Sequence, residues 1–195
     1  MMQLLALKCP TCGQKLTPQS NETVVVSCMN CLTAVSLHQA AITAIPIQYA
    51  APTARGEVET WLPMWVYNGR VALTRRQSQS GSKGADKEAQ ALWGGVQRLY
   101  APAWQESVSQ AREIGSQFIL KQPALQATTP EAGMTLRDAT ITQEDGLKLL
   151  DFIVLTIEAN RKDWLKDLQF EIQTSGSELW AVPVRQKRGV WEFLV

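Results

Sequence analysis

The chain has one histidine in 195 residues, and its 19 Lys and Arg nearly cancel its 18 Asp and Glu. A single histidine, His38, leaves no plausible Ser–His pair for nucleophilic catalysis. A formal net charge of +1 argues against a large basic footprint for DNA or RNA. Long apolar runs are also missing. The longest strongly apolar stretch, Leu147 to Ile157, is broken by Lys148 and Asp151, and it falls far short of the roughly 20 residues that span a bilayer. The apolar run near the start lasts only from Leu4 to Leu7, with no basic segment before it, so no secretory leader is expected. No lipidation motif appears. These absences predict a soluble, cytoplasmic protein. What remains is an ordinary globular balance, 45% hydrophobic and 19% charged, in a length that suits one moderate domain or two small ones.

All four cysteines fall in the first 31 residues, as Cys9-Pro-Thr-Cys12-Gly13 and Cys28-Met-Asn-Cys31. Two residues between cysteines let a tight turn aim two thiolates at one metal. Two such turns supply four sulfurs to a tetrahedral centre, the preference of zinc. Gly13 stands where a metal knuckle commonly needs positive φ. Thr17 to Glu22 reads as a turn, and Thr23 to Ser27 as a β-branched strand. The pattern resembles a C4 zinc ribbon over residues 4 to 37. The resemblance carries the ligand role to Cys9, Cys12, Cys28 and Cys31, with one structural Zn2+ per chain. Leu32 departs from it, since many ribbons have glycine there. Iron ranks second: a rubredoxin-like centre uses the same ligands at a longer separation. Disulfides conflict with a reducing compartment, and a thioredoxin-type site needs one reactive pair in a βαβ setting. His38, seven residues beyond Cys31, is redundant as a fifth ligand and reads as an exposed polar residue.

The expected organisation is a zinc ribbon over 1–38, an extended connector over 39–56 and an α+β domain over 57–195. Pro46 and Pro52 forbid one long helix in the connector. Asn68-Gly69 between two β-rich runs signals a hairpin turn. Pro63 places its run at a sheet edge or a bulge. Residues 77–90 read as a loop, and they do not match a phosphate-binding G-x4-G-K-[ST]. Tyr100 to Trp104 is expected to open a helix whose buried face is Val108, Ala111, Gly115, Phe118 and Ile119, with Ile114 beside it. A second helix begins near Thr142, capped by its hydroxyl, with Glu144 and Asp145 at the positive end. Its inner stripe is Leu147, Leu150, Val154 and Ile157. Phe152, Ile153 and Leu155 broaden that stripe to nearly all-round burial. Strands with turns at 174–177 and 186–189 follow. The fold class is therefore α+β, a C4 ribbon followed by an antiparallel sheet with two main helices. Three segments share an apolar-Pro-apolar core, namely Trp61–Trp65, Tyr100–Trp104 and Trp180–Val184. A ribbon followed by such a strand is similar to uncharacterised bacterial zinc-ribbon proteins, and no activity follows from that resemblance.

No convincing catalytic site emerges. Glu57 and Glu59 share a strand face as solvated carboxylates, and residues 158–167 look like a mixed-charge surface. The chain reads as a non-catalytic scaffold or accessory subunit of a multiprotein complex. The seven tryptophans, Trp61, Trp65, Trp93, Trp104, Trp164, Trp180 and Trp191, exceed what one small core uses, and Trp is enriched at interface hot spots. The ribbon has more apolar side chains, among them Leu5, Leu7, Val24 to Val26, Leu32, Val35 and Leu37, than one inner face hides. The surplus must meet the second domain or another chain. Candidate partner contacts are Ile42, Ile45, Ile47, Trp61 and Trp65. Two other readings stand beside this one. One is a nucleic-acid-binding regulator, using Arg70, Arg75, Arg76, Lys83 and Lys87, or Arg185, Lys187 and Arg188. The other is an enzyme with an unrecognised site.

Overall fold

The computed structural model describes residues 7–37, 41–54, 57–79, 83–130 and 133–195. His38, Leu5 and the start of the apolar N-terminal run lie outside them.

The short β-branched runs after the first cysteine pair form a three-stranded antiparallel sheet. It comprises β1 (Val25–Ser27), β2 (Ala34–Ser36) and β3 (Thr43–Ile45), with Val26 opposite Val35 and Val35 opposite Ala44. Pro46 follows β3, and the next strand, β4 (Ile47–Ala50), belongs to a different sheet. The connector is thus extended, as its prolines require, but it gives one strand to each sheet.

The larger sheet has the order β6-β5-β8-β4-β7 with β9 also on β8. Its remaining strands are β5 (Thr60–Ser78), β6 (Gln97–Pro102), β7 (Ala127–Thr128), β8 (Leu165–Lys187) and β9 (Val190–Phe193). The expected antiparallel sheet is in fact mixed. β4 runs parallel to β8, with Ile47 opposite Leu179. No tight turn joins these two strands, so none imposes the antiparallel sense.

β5 and β8 form one ladder from Thr60↔Val184 to Ser78↔Leu165. The expected turns at Asn68-Gly69 and at 174–177 do not form. Those two sequences lie opposite each other, Asn68 against Gly176 and Gly69 against Thr174, with Ser175 left over as a bulge. A side chain on Gly69 would strike the Gln173 carbonyl. Glycine here serves close strand approach rather than chain reversal. The 186–189 turn does form and leads into β9, with Gly189 at φ 80°.

The three proline-bearing segments are neighbours at the sheet centre: Met64 faces Pro102, and Trp61 faces Pro183. Pro63 sits where β6 has run out. Beyond it the Trp61 N–H donates to the Thr135 carbonyl. The missing proline N–H therefore falls at a local edge inside a central strand.

There are three helices among the described residues. α1 (Lys83–Trp93) replaces part of the expected 77–90 loop and buries Ala85, Ala89 and Trp93, one residue per turn. β6 occupies the expected start of the next helix. α2 (Val108–Lys121) begins later, where Ser107 Oγ accepts the Gln110 N–H. Ala111, Gly115, Phe118 and Ile119 are buried as expected, Ser116 joins them, and Val108 is exposed. α3 (Gln143–Ala159) is capped by Thr142, whose Oγ1 accepts the Asp145 N–H at 3.1 Å. Its all-round burial is not observed. Leu150, Ile153, Val154 and Ile157 face inward, while Leu147, Phe152 and Leu155 are exposed.

β1 and β2 bury both faces. Val26 and Val35 join Cys9, Cys28 and Leu16 in a small cluster, and Val25 and Ala34 join the main core. The surplus apolar surface of β1 and β2 therefore meets its own chain. The segment 134–141 staples the sheets together. Leu136 bridges to Trp61, and Ala139 bridges to Val25. Buried Asp138 accepts the Gln19 N–H at 2.6 Å and the Thr23 hydroxyl at 3.0 Å. Burial pushes its carboxyl above the usual aspartate range, and these hydrogen bonds oppose that rise.

Candidate metal centre

The two cysteine turns have the same backbone plan. In the first, Cys9 N–H donates to the Gln14 carbonyl and Gly13 N–H to the Cys9 carbonyl, each at 2.8 Å. In the second, Cys28 N–H donates to the Thr33 carbonyl at 2.9 Å and Leu32 N–H to the Cys28 carbonyl at 2.7 Å. Gly13 and Leu32 are thus equivalent, and both are left-handed, at φ 73° and 58°. Glycine adopts that conformation freely, whereas leucine strains to do so, on the order of 1 kcal/mol. The turn forms nonetheless, because Leu32 is held from outside. Its side chain packs beside Tyr49, Trp61 and Leu136. The Tyr49 hydroxyl donates to the Leu32 carbonyl at 3.3 Å.

The turns bring Cys9, Cys12, Cys28 and Cys31 together with all four sulfurs within 4.8 Å of one another. Cys9 and Cys31 Sγ are 3.6 Å apart, and Cys12 and Cys28 Sγ are 3.5 Å apart. A tetrahedron with metal–sulfur bonds of about 2.3 Å has edges of about 3.8 Å. The cluster therefore fits one tetrahedral ion with little movement, and four thiolates suit zinc. An ion held by all four sulfurs would have no open ligand position, and it would serve to hold the fold.

The thiols differ in readiness. Cys12 is exposed, and its pKa is drawn down to about 6, chiefly by a backbone hydrogen bond from Gln14 and then by the Asn30 side chain. Burial pushes Cys28 up to about 11. Burial also works against Cys9, but backbone hydrogen bonds from Cys12 and Thr11 bring its pKa below the usual thiol value. Cys12 offers a thiolate near neutral pH, while Cys28 keeps its proton until positive charge compensates it. The Thr33 hydroxyl oxygen lies 3.2 Å from Cys31 Sγ, within reach to orient that ligand.

The proposed partner residues are placed otherwise than on a free surface. Trp61 and Trp65 are 2% and 7% exposed. Trp65 Nε1 donates to the Ile141 carbonyl. Ile42 is half-buried against the ribbon cluster, and Ile45 and Ile47 against the main core. Trp93, Trp104 and Trp180 are buried, and Trp191 is half-buried. Trp164 alone among the seven is widely exposed, at 77%, on a backbone with φ 50°.

The basic neighbourhood is also reorganised. Arg76 is buried at the centre of an ion network. Its Nε donates to Glu158 at 2.7 Å, and its Nη atoms donate to Asp163 at 2.7 and 3.0 Å and to Asp86 at 2.6 Å. Glu158 also accepts from Arg161 Nε at 2.9 Å and from Trp93 Nε1 at 2.8 Å. Glu158 and Asp163, which the sequence suggested were surface charges, are fully buried. Arg76 holds the Asp163 carboxyl below the usual range, against the opposing effect of burial. Arg75 pairs with Asp167, and Arg70 donates to the Gln173 side chain. Arg185 pairs with Glu57 and Glu192. Glu59 accepts the Gln186 N–H. Glu57, Glu59, Arg70, Arg75, Arg76 and Arg185 are thus structurally engaged. No local pattern marks the network, because its members are scattered from residue 76 to residue 163.

Comparison with protein-family models, with curated proteins and with solved structures finds no match to this chain. The cysteine geometry therefore stands on its own as the ground for a metal site. No helix among the described residues is long and apolar enough to cross a membrane.

Proposed function

We propose that the chain is a non-catalytic accessory protein, cytoplasmic, whose four cysteines hold one structural zinc and whose task is to bind a protein partner. The metal part rests on the closed four-sulfur cluster. The binding part rests on one observation, the exposure of Trp164. An indole left in water at a left-handed position gains nothing for the fold, and Trp is a favoured interface anchor. Phe152 and Leu155, exposed on α3, offer further apolar contact. This moves the partner surface away from Ile42, Ile45, Ile47, Trp61 and Trp65. The nucleic-acid alternative loses support from the pairing of Arg75, Arg76 and Arg185 with carboxylates.

Two measurements test the proposal. Elemental analysis of the purified chain should give one zinc per chain and no iron absorption. Native gel filtration of extracts from the source cells should place the protein in an assembly larger than the free chain. Trp164→Ala should shift it to the free position with its zinc retained. Elution of the native protein at the free position would overturn the accessory role.

A further inference from the structure

A cavity of about 460 Å³ opens between α1, α2 and the end of α3. Ser116, one of its lining residues, is 7% exposed, and its Oγ is buried with no hydrogen-bond partner. Arg161 also lines it, and its Nη2 is likewise buried and unpartnered. Buried donors without acceptors are costly and uncommon in folded proteins, and two of them border the same space. The rest of the Arg161 guanidinium is engaged. Nε donates to buried Glu158 at 2.9 Å, and Nη1 reaches Glu88 at 3.3 Å. Glu88 is 73% exposed, so this second pair is a weak, screened one that can let go. Lys162, an exposed residue, also lines the cavity, and Leu120 and Ile157 supply an apolar wall.

We propose that this cavity is a binding site for a small organic oxyanion. Its two oxygens replace Glu88 on the Nη1–Nη2 edge of Arg161, and its apolar body lies against Leu120 and Ile157. A guanidinium presents parallel N–H groups that match two oxygens of a carboxylate or phosphate. Glu88 already shows a carboxylate oxygen on one of them. Neither Ser116 Oγ nor Arg161 Nη2 touches bulk water, so the acceptor enters as Glu88 leaves. Ser116 then donates to the same anion, which supplies the negative charge that Glu88 gave Arg161, and Lys162 adds a second cation at the cavity.

The test uses the full metal-loaded chain and NMR titration with butyrate, inorganic phosphate and the neutral isostere butyramide. Butyrate or phosphate should shift the Ser116 amide and Arg161 Nε–H signals saturably, and the anion that does so names the source. Butyramide should leave them in place. Glu88→Gln removes the competing carboxylate and should tighten anion binding about two- to five-fold. Ser116→Ala, a mild change within a helix, should weaken it about three- to ten-fold. Equal shifts by butyramide, no saturable shift by either anion, or affinities unchanged in both variants would overturn the proposal and leave ordered water as the partner of these donors.

Discussion

The cysteine cluster and the Arg76 network are two polar centres built in opposite ways. The cysteine centre comes from two local turns within 23 residues, Cys9 to Cys31, and one member, Cys12, reaches the surface. The network draws on β5, α1, α3 and the loop after it, and its Glu158 and Asp163 are sealed from water. Four cysteine sulfurs without an ion have little reason to stay together. The network carries both of its charge signs within the chain. One centre is therefore conditional on a ligand, and the other on the completed fold.

Metal removal gives the largest expected effect. Zinc binding to such sites is on the order of 10 kcal/mol, realised as folding energy. Chelation, or Cys12→Ser, should abolish hydrogen-exchange protection over residues 8–36 while the β5–β8 ladder stays protected. Loss of protection throughout would show that the staple at Asp138 and Ala139 makes the two sheets one cooperative unit.

Arg76→Ala comes next. It leaves Glu158 and Asp163 buried without their shared cation, a loss of about 3–5 kcal/mol. Arg75→Ala, the neighbouring residue, breaks an exposed pair with Asp167 and should cost below about 1 kcal/mol. Urea unfolding of the two variants at saturating zinc checks the contrast. Equal losses would mean that burial of the network is not what makes it matter.

The acid limb sharpens the same point. Asp163 is held below its unfolded value of about 3.9. Its contribution is present above that value and is lost as pH falls through the lower folded one. A carbon-13 titration of the Asp163 carboxyl should have its midpoint below about 3.9. In Arg76→Ala the largest opposition to burial is lost and the midpoint should rise. A midpoint unmoved by that substitution would separate Asp163 from Arg76 energetically.

Smaller effects concern the backbone, in the β5–β8 ladder and at the second cysteine turn. Gly69→Ala forces strand against strand in the bulge, for about 1–3 kcal/mol. At Leu32 the usual ranking should invert. Ala keeps the left-handed strain and loses the contacts with Tyr49 and Trp61, whereas Gly loses the contacts but also the strain. Leu32→Ala should therefore be less stable than Leu32→Gly, by about 1 kcal/mol. Thermal unfolding with the metal bound gives the order, and Ala at or above Gly would contradict the strain.

Legibility followed sequence distance. The four ligands, the turn at 17–22, the Thr142 cap and the α+β class could be read directly, since each depends on residues close together or on simple periodicity. α1 was hidden by the Gly-Ser-Lys-Gly stretch, although Ala85, Ala89 and Trp93 mark its buried face. Asn68-Gly69 carries the local chemistry of a turn, yet no turn forms there, because β8 pairs with β5 on both sides of it and leaves a bulge. The tryptophans could be counted but not placed.

The sequence by itself determined where a metal can bind, because two C-x2-C turns carry their geometry in their own backbones. It also determined the strand and helix character of most of the chain, through period and capping. Only the tertiary structure decided that Val24 and Val25 pack on the main core. It also decided that Trp61 and Trp65 are core and Trp164 is surface, and that Arg76 balances buried acids rather than contacting a partner. Those outcomes depend on which distant segments meet, and burial, which sets the value of a charge or an indole, is a property of the meeting and not of either segment alone.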